Sequence, residues 1–160
     1  MMRGFVLERL KHHDASEASA FAKDVIASLA IYNKRGKRDF IKETNPKTLR
    51  REIRHGAAIF VAKHSGKIVG FINYYPSSSG VGWIDWLLVD AGHRRKGLGT
   101  LLTKRVMDFA RKHGEHMVWT DTRTGNSKSI KLIKKLGFRK LGVFKKAWYK
   151  QDFYLWYRRI

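Results

Sequence analysis

Between Trp83 and His113 the chain reads WIDWLLVD-AGHRRKG-LGTLLTKRVMDFARKH, and few folds accommodate that succession. An apolar strand enters a short basic turn punctuated by Gly97 and Gly99, and the turn opens directly into an amphipathic helix. Such a junction is a backbone cradle for phosphate. The N–H groups at a helix start have no intrahelical partner, and the helix dipole favours negative charge there. Glycines without a Cβ let the chain turn tightly and approach a ligand closely. Arg94, Arg95 and Lys96 put positive charge at the same place.

The remaining elements follow from periodicity and punctuation. Residues 3–10 are predicted as a first strand. Asp14 and Glu17 have the spacing of a capping box, and Ala18, Phe21, Ala22, Val25, Ile26 and Leu29 recur behind them at helical spacing to about Tyr32. Residues 33–44 are polar and basic and contain Gly36, which predicts a loop: either a solvated connection or, in an enzyme, part of a substrate site. Asn45-Pro46 starts a helix that ends near His55. Residues 57–63 and 67–75 flank His64-Ser65-Gly66 as a hairpin, and residues 82–90 give a central strand. Simple alternation there puts Trp83, Asp85, Leu87 and Val89 on one face and Ile84, Trp86 and Leu88 on the other. A helix then runs to about His113, with Gly114 after it, followed by a strand over 115–122 and a helix opened by Thr124-Gly125-Asn126-Ser127. Strands from Phe138 to about Tyr149 and from Phe153 to Arg158 close the chain. The order β-α-α-β-β-β-α-β-α-β-β over 160 residues, with no repeat or linker, predicts one α+β domain spanning 1–160.

Composition narrows the setting. A hydrophobic content of 43% supports a packed core, and the absence of cysteine excludes disulfides and thiolate metal sites. No apolar run nears the roughly 18 residues that cross a bilayer, so a cytoplasmic protein without a membrane partner is expected. The chain carries 34 Lys and Arg against 13 Asp and Glu, formally +21. That field attracts polyanions, nucleic acid among them, and repels cations at long range, so it favours acidic or anionic ligands over polycations. His93 and the pair His113 and His116 lack further ligands, and no metal is expected. Aromatics interleaved with Lys and Arg near the end, AWYKQDFYLWYRRI, admit base stacking, but alternation along two antiparallel strands gives the same pattern by core packing, which is the preferred reading.

Two phosphate motifs fail on this turn. Gly92 and Gly97 have Walker spacing, but Leu98-Gly99 stands where Lys and Ser/Thr are required. A dinucleotide fingerprint fails because Leu102 replaces its third glycine. A third pattern, Arg/Gln-x-x-Gly-x-Gly/Ala, is met as Arg94-Arg-Lys-Gly97-Leu-Gly99. With the element order, and with Asn126-x-x-Ser129-Ile130 leading to Leu136-Gly137-Phe138, it resembles the acetyl-CoA-binding core of the GNAT family of N-acetyltransferases.

The resemblance implies a GNAT fold: a mixed, mostly antiparallel twisted sheet of about seven strands with about four helices on its two faces. It implies direct acetyl transfer from acetyl-CoA to an amine, without a metal. The pantetheine arm would pair with strand backbone at Leu87, Leu88 and Val89, in a gap between the fourth and fifth strands. The pyrophosphate would rest on the turn around Arg94, Arg95, Lys96, Gly97, Leu98, Gly99 and Thr100, with Asn126 and Ser129 near the pantetheine. A backbone N–H near Leu87 or Leu88 would meet the oxyanion. Asp85, the carboxylate within the apolar strand, is the candidate general base, against the alternative of an ordinary ion pair. Relatives carry a tyrosine where Ile133 stands, which removes the usual proton donor to the thiolate and leaves Tyr149 as a candidate near the acceptor. The acceptor is a primary amine of a protein, peptide or small molecule, and the enzyme a monomer or homodimer. The alternative is a tRNA- or ribosome-associated basic protein on the same fold.

Overall fold

The hairpin expected at His64-Ser65-Gly66 forms the start of the sheet: β2 (Ala58–His64) and β3 (Lys67–Tyr75) pair antiparallel around it. The computed structural model describes residues 4–160, and Arg3 of the predicted first strand lies outside them. Before the hairpin come β1 (Phe5–Arg9), α1 (Ala15–Ser28), α2 (Lys34–Glu43) and α3 (Pro46–Arg54). After it come β4 (Val81–Val89), α4 (Leu98–Lys112), β5 (Met117–Arg123), α5 (Ser127–Lys135), β6 (Arg139–Phe144) and β7 (Phe153–Arg159). The seven strands make one sheet in the order β1-β2-β3-β4-β5-β7-β6, antiparallel throughout except for the parallel pair β4 and β5.

Each face of the sheet is covered. On one side Leu98, Leu102, Val106 and Ala110 of α4 and Ile133 of α5 pack on Phe60, Ile72, Ile84 and Val118. On the other, Ala18, Ala22 and Ile26 of α1, Phe40 of α2 and Leu49 of α3 pack on Ile59, Val61, Phe71, Trp86 and Leu88. The apolar stripe of α1 is therefore the one read from spacing.

Four expectations are corrected. Asp14 and Glu17 form no capping box: Asp14 has helical dihedrals (φ −81°, ψ −4°) and makes no side-chain cap bond. Glu17 instead accepts a hydrogen bond from Ile68 N at 3.0 Å, and Asp14 lies 3.7 Å from Lys63 Nζ. Residues 33–44 are not a loop but contain α2. Asn33 caps it by accepting from Gly36 N at 2.8 Å, and the fully buried Phe40 meets Trp86 edge-on at 4.3 Å. The helix stands on one aromatic anchor and its cap, too little periodicity to register in sequence. The strand expected from Phe138 to Tyr149 ends at Phe144, because Lys146, Tyr149 and Lys150 adopt positive φ.

The fourth correction bears on function. The face assignment along β4 fails because the strand bulges. Tyr74 pairs with Ile84 and Ile72 with Leu87, so Asp85 and Trp86 together oppose Asn73. Ile84 consequently faces α4 while Trp86 and Leu88 face α1, and Asp85 turns away from the face of Leu87 and Val89.

Because α2 rests on Phe40, Phe40→Ala is expected to destabilise the protein by about 3 kcal/mol. Urea denaturation measures this, and a loss below about 0.5 kcal/mol, the size of a surface change, would show that α2 adds nothing to the core.

Candidate active site

Parallel pairing between β4 and β5 stops early. It runs from Val81 and Met117 to Ile84 and Thr120, although β4 continues to Val89 and β5 to Arg123. At the last pair Thr120 Oγ1 donates to Ile84 O at 3.0 Å, so a side chain closes the ladder. Beyond it the strands diverge, and the gap opens into a continuous cleft of about 1460 Å³. One edge of β4 from Asp85 to Val89 thus faces the cleft, while its other edge is paired with β3.

At one end the cleft reaches the start of α4. Arg95 and Gly97 hold left-handed φ values of 63° and 79°, which wrap the turn around the helix start. Leu101 N makes the first intrahelical bond, to Gly97 O at 3.0 Å, so the N–H groups of Leu98, Gly99 and Thr100 remain available. A Cβ on Gly99 would come within 3.0 Å of Leu132 Cδ2, so glycine lets α4 and α5 close on each other beside this opening. Arg94 Nε donates to Val89 O at 2.9 Å and ties the turn to the end of β4. Asn126 Oδ1 accepts from Ser129 N at 3.2 Å and caps α5 on the opposite wall. These features fit a pyrophosphate followed by an extended amide chain.

At the other end the walls are aromatic and acidic. Tyr32, Tyr75, Trp83, Trp86, Tyr149 and Phe153 line it, with Glu43, Glu52, Asp85 and Asp121 among them. Burial pushes the Asp85 carboxyl up to about 8, helped by repulsion from Glu43, Asp121 and Glu52. Burial alone pushes Asp121 up to about 7. Glu43 is raised by desolvation at the cleft mouth, offset in part by the nearby indole of Trp86. That indole N–H nevertheless makes no hydrogen bond of full geometry. Tyr149 is raised well above the ordinary phenol range by burial and by Glu43 and Asp85, so it stays a protonated donor. Its backbone is strained (φ 59°, ψ 24°) and is held by Asn33 Nδ2, which donates to Tyr149 O at 3.1 Å. The helix missed in the sequence therefore seats this tyrosine.

The model of the acetyltransferase (GNAT) family matches residues 27–138. The chain belongs to the GNAT acetyltransferase family. It is 32% identical over 92 residues to human N-acetyltransferase 8, covering 54% of this chain and 40% of that protein. It is 31% identical over 101 residues to an N-alpha-acetyltransferase of Sulfurisphaera tokodaii, covering 56% of this chain and 60% of that one. The chain thus spans about half the length of these curated relatives. The solved structure of ribosomal-protein-S5-alanine acetyltransferase from Vibrio fischeri superposes with a TM-score of 0.82 at 20% identity, over 99% of this chain and 94% of that one, a likeness of fold.

Of the residues singled out in this GNAT sequence, Asp85, Leu87, Leu88, Val89, Arg94, Arg95, Gly97, Leu98, Gly99, Thr100, Asn126, Ser129 and Tyr149 all line the cleft. The side chain of Lys96 does not and lies exposed on the turn. Ile133 lines the cleft as a buried core residue, so the α5 position offers no hydroxyl. Sequence reasoning missed Glu43, Glu52, Asn73 and Asp121. Glu43 was hidden in the supposed loop, whereas Asp121, a lone acid between threonines in a strand, carried the same signal as Asp85. Among the described residues no group of His, Asp and Glu has metal-site geometry, and no helix is long and apolar enough to cross a membrane.

The raised carboxyl has a thermodynamic signature. Asp85 holds its proton up to about 8 in the fold but only to 3.8 in the unfolded chain. Between those values the fold binds more protons, so stability falls as pH rises through the interval. Asp85→Asn cannot ionise and escapes this loss. Its Tm relative to wild type is expected to climb between about pH 5 and about pH 8. A constant difference across that range in scanning calorimetry would show that Asp85 titrates normally.

Proposed function

We propose that the protein is an acetyl-CoA-dependent N-acetyltransferase that acetylates a primary amine bound at the acidic end of the cleft. The observation that carries this reading is the gap between β4 and β5, which joins the free N–H groups at the start of α4 to the half-buried carboxylate Asp85. Family membership supports the same chemistry.

Acetyl-CoA, when bound, supplies a thioester carbonyl to the amine. The N–H groups from Leu98 to Thr100 would receive its pyrophosphate, with Arg94 and Arg95 adding charge, and the free edge of Leu87, Leu88 and Val89 would pair with its amides. Asp85 accepts the proton that an ammonium must lose before its nitrogen can attack. Its elevated pKa moves it toward that of an amine and eases the transfer, while Asp121 stands by as a second acceptor. A backbone N–H at Leu87 or Leu88 steadies the oxyanion. The Tyr149 phenol, kept neutral by its surroundings, donates a hydrogen bond or proton to the departing thiolate in place of the hydroxyl that Ile133 lacks.

Acetyl-CoA is expected to raise the melting temperature, as any ligand of the native state does. Gly97→Val, which places a Cβ where φ is 79°, should remove that rise. An undiminished shift in the variant would displace the pyrophosphate from this turn. For catalysis, Asp85→Asn should lower kcat about 100-fold with little change in KM for acetyl-CoA, measured by release of the coenzyme A thiol. Wild-type turnover in that variant would remove Asp85 from the reaction.

One observation favours a second reading, association with nucleic acid. From Thr122 to Gln151 the chain carries Lys and Arg but no Asp or Glu, and Phe144 and Trp148 are exposed there and stacked at 5.8 Å. RNA binding that weakens steeply with salt, in a protein that acetyl-CoA does not stabilise, would favour it over the enzyme.

A further inference from the structure

The cleft carries opposite charges at its two ends. Arg94, Arg95, Lys128, Lys131 and Lys135 line the end at the α4 turn, while Glu43, Glu52, Asp85 and Asp121 line the other. Cations near the acidic end are held by neighbouring groups, with the buried Arg123 Nε alone left unpartnered among the described residues. Arg51 Nη2 lies 2.9 Å from Glu52 Oε1. Arg123 Nη1 donates to Ile31 O at 2.6 Å and to Gln151 Oε1, and its guanidinium lies over Tyr32 at 5.6 Å. Glu43 from α2, Asp85 from β4 and Asp121 from β5 have no cation within ion-pair distance among the described residues. Tyr32, Tyr75 and Tyr149 complete the titratable wall, all protonated.

A second feature calls for one donor from the ligand, beside the unpartnered donors Trp86 Nε1 and Arg123 Nε in the same lining. Asn73, opposite the bulge, is 4% exposed and lines the cleft. Its Nδ2 donates to Tyr75 Oη at 3.1 Å, but its Oδ1 accepts from nothing. A buried carbonyl oxygen of this kind is satisfied by an N–H donor. Ammonium offers three such donors and no acceptor, and the aromatic faces around it attract a cation.

We infer, building on the N-acetyltransferase reading, that the acceptor is a compact amine carrying a second positive charge, a diamine or polyamine by class. One nitrogen enters between Asp85 and Asp121, hydrogen-bonded to Asn73 Oδ1. The second stays at the cleft mouth against the exposed carboxylate of Glu43. The chain's charge of +21 argues for anionic acceptors at long range, but salt screens that field over about 8 Å, and inside the cleft the nearest uncommitted charges are carboxylates. In the transfer, the entering ammonium gives one proton to Asp85, the free amine forms the C–N bond as the thioester C–S bond breaks, and the nitrogen's second proton offsets the one that the coenzyme A sulfur takes up as it leaves as the thiol.

The test compares three acceptors of similar length, putrescine, n-butylamine and γ-aminobutyrate, by thiol release from acetyl-CoA. Putrescine is expected to exceed butylamine in kcat/KM by about tenfold, with γ-aminobutyrate slowest. Glu43→Gln, a change at an exposed helix end, should collapse the ratio of putrescine to butylamine toward one. Butylamine equal to putrescine, γ-aminobutyrate ahead of either, or a ratio preserved in Glu43→Gln would overturn the inference. If none of the three turns over, thermal shift in the presence of coenzyme A decides. A rise with putrescine that Glu43→Gln abolishes upholds the binding preference, and no rise refutes it. Failure of acetyl-CoA itself to stabilise the protein counts instead against the N-acetyltransferase reading, so the two ideas fail separately.

Discussion

The site depends on where one parallel ladder is allowed to end. Had β4 and β5 paired along their full length, backbone amides of Leu87 to Val89 would be satisfied within the sheet and no cleft would exist. The divergence is built from local features. The bulge opposite Asn73 bends β4, and Thr120 Oγ1 seals the last pair against Ile84 O. Parallel pairs are also slightly weaker per residue than antiparallel ones, so this is the junction of the sheet where opening costs least. On the far sides, β3 holds β4 and β7 holds β5, so the two halves of the sheet stay rigid while the seam between them stays open.

The same bulge sets the chemistry. It places Asp85 and Trp86 together toward the α1–α3 layer and leaves Leu87 and Val89 toward α4. A carboxylate thereby meets the layer that supplies Glu43 and Glu52, and burial with like charge raises its pKa to about 8. An unbulged strand would have aimed Asp85 at the apolar surface of α4, where an ionised carboxylate has no compensation. The irregularity is thus part of the site, in keeping with the habit of bulges to occur beside active centres.

Much of this is legible in the amino-acid sequence. Periodicity located α1, α4 and the inner strands, because those elements bury a whole stripe or face, whereas the edge strands β1 and β6 bury no complete face. The turn from Arg94 to Gly99 was legible because glycine at positive φ and a free helix start leave a mark in local sequence. What stayed hidden was set by tertiary contact. Helix α2 has a single buried aromatic, Phe40, and its other support is Asn33 reaching Tyr149, a residue distant in sequence. The acidic end of the cleft is assembled from Glu43, Glu52, Asp85 and Asp121 on four different elements, and no spacing rule joins them. The bulge was invisible for a related reason. Its neighbours Ile84, Trp86 and Leu88 are all apolar, so a change of face leaves no polar residue stranded to betray it.

Net charge and the charges lining the cleft point to different acceptors, and the reason is one of length scale. A formal +21 spread over the surface governs encounter, and salt attenuates it within about 8 Å. Recognition is decided at contact, where desolvation multiplies the effect of each charge. Basic residues gather at the α4 end, where an anionic cofactor would sit, and the few acids gather at the other. Such a division would let two ligands of opposite charge share one cleft without either competing for the other's place. On the proposed reading it also separates the tasks: the backbone of the α4 turn would fix the cofactor by geometry, while side chains from α2, α3, β4 and β5 would choose the acceptor and take its proton. The acceptor end, being made of side chains on separate elements, is the part of this fold that sequence change can retune without disturbing the sheet.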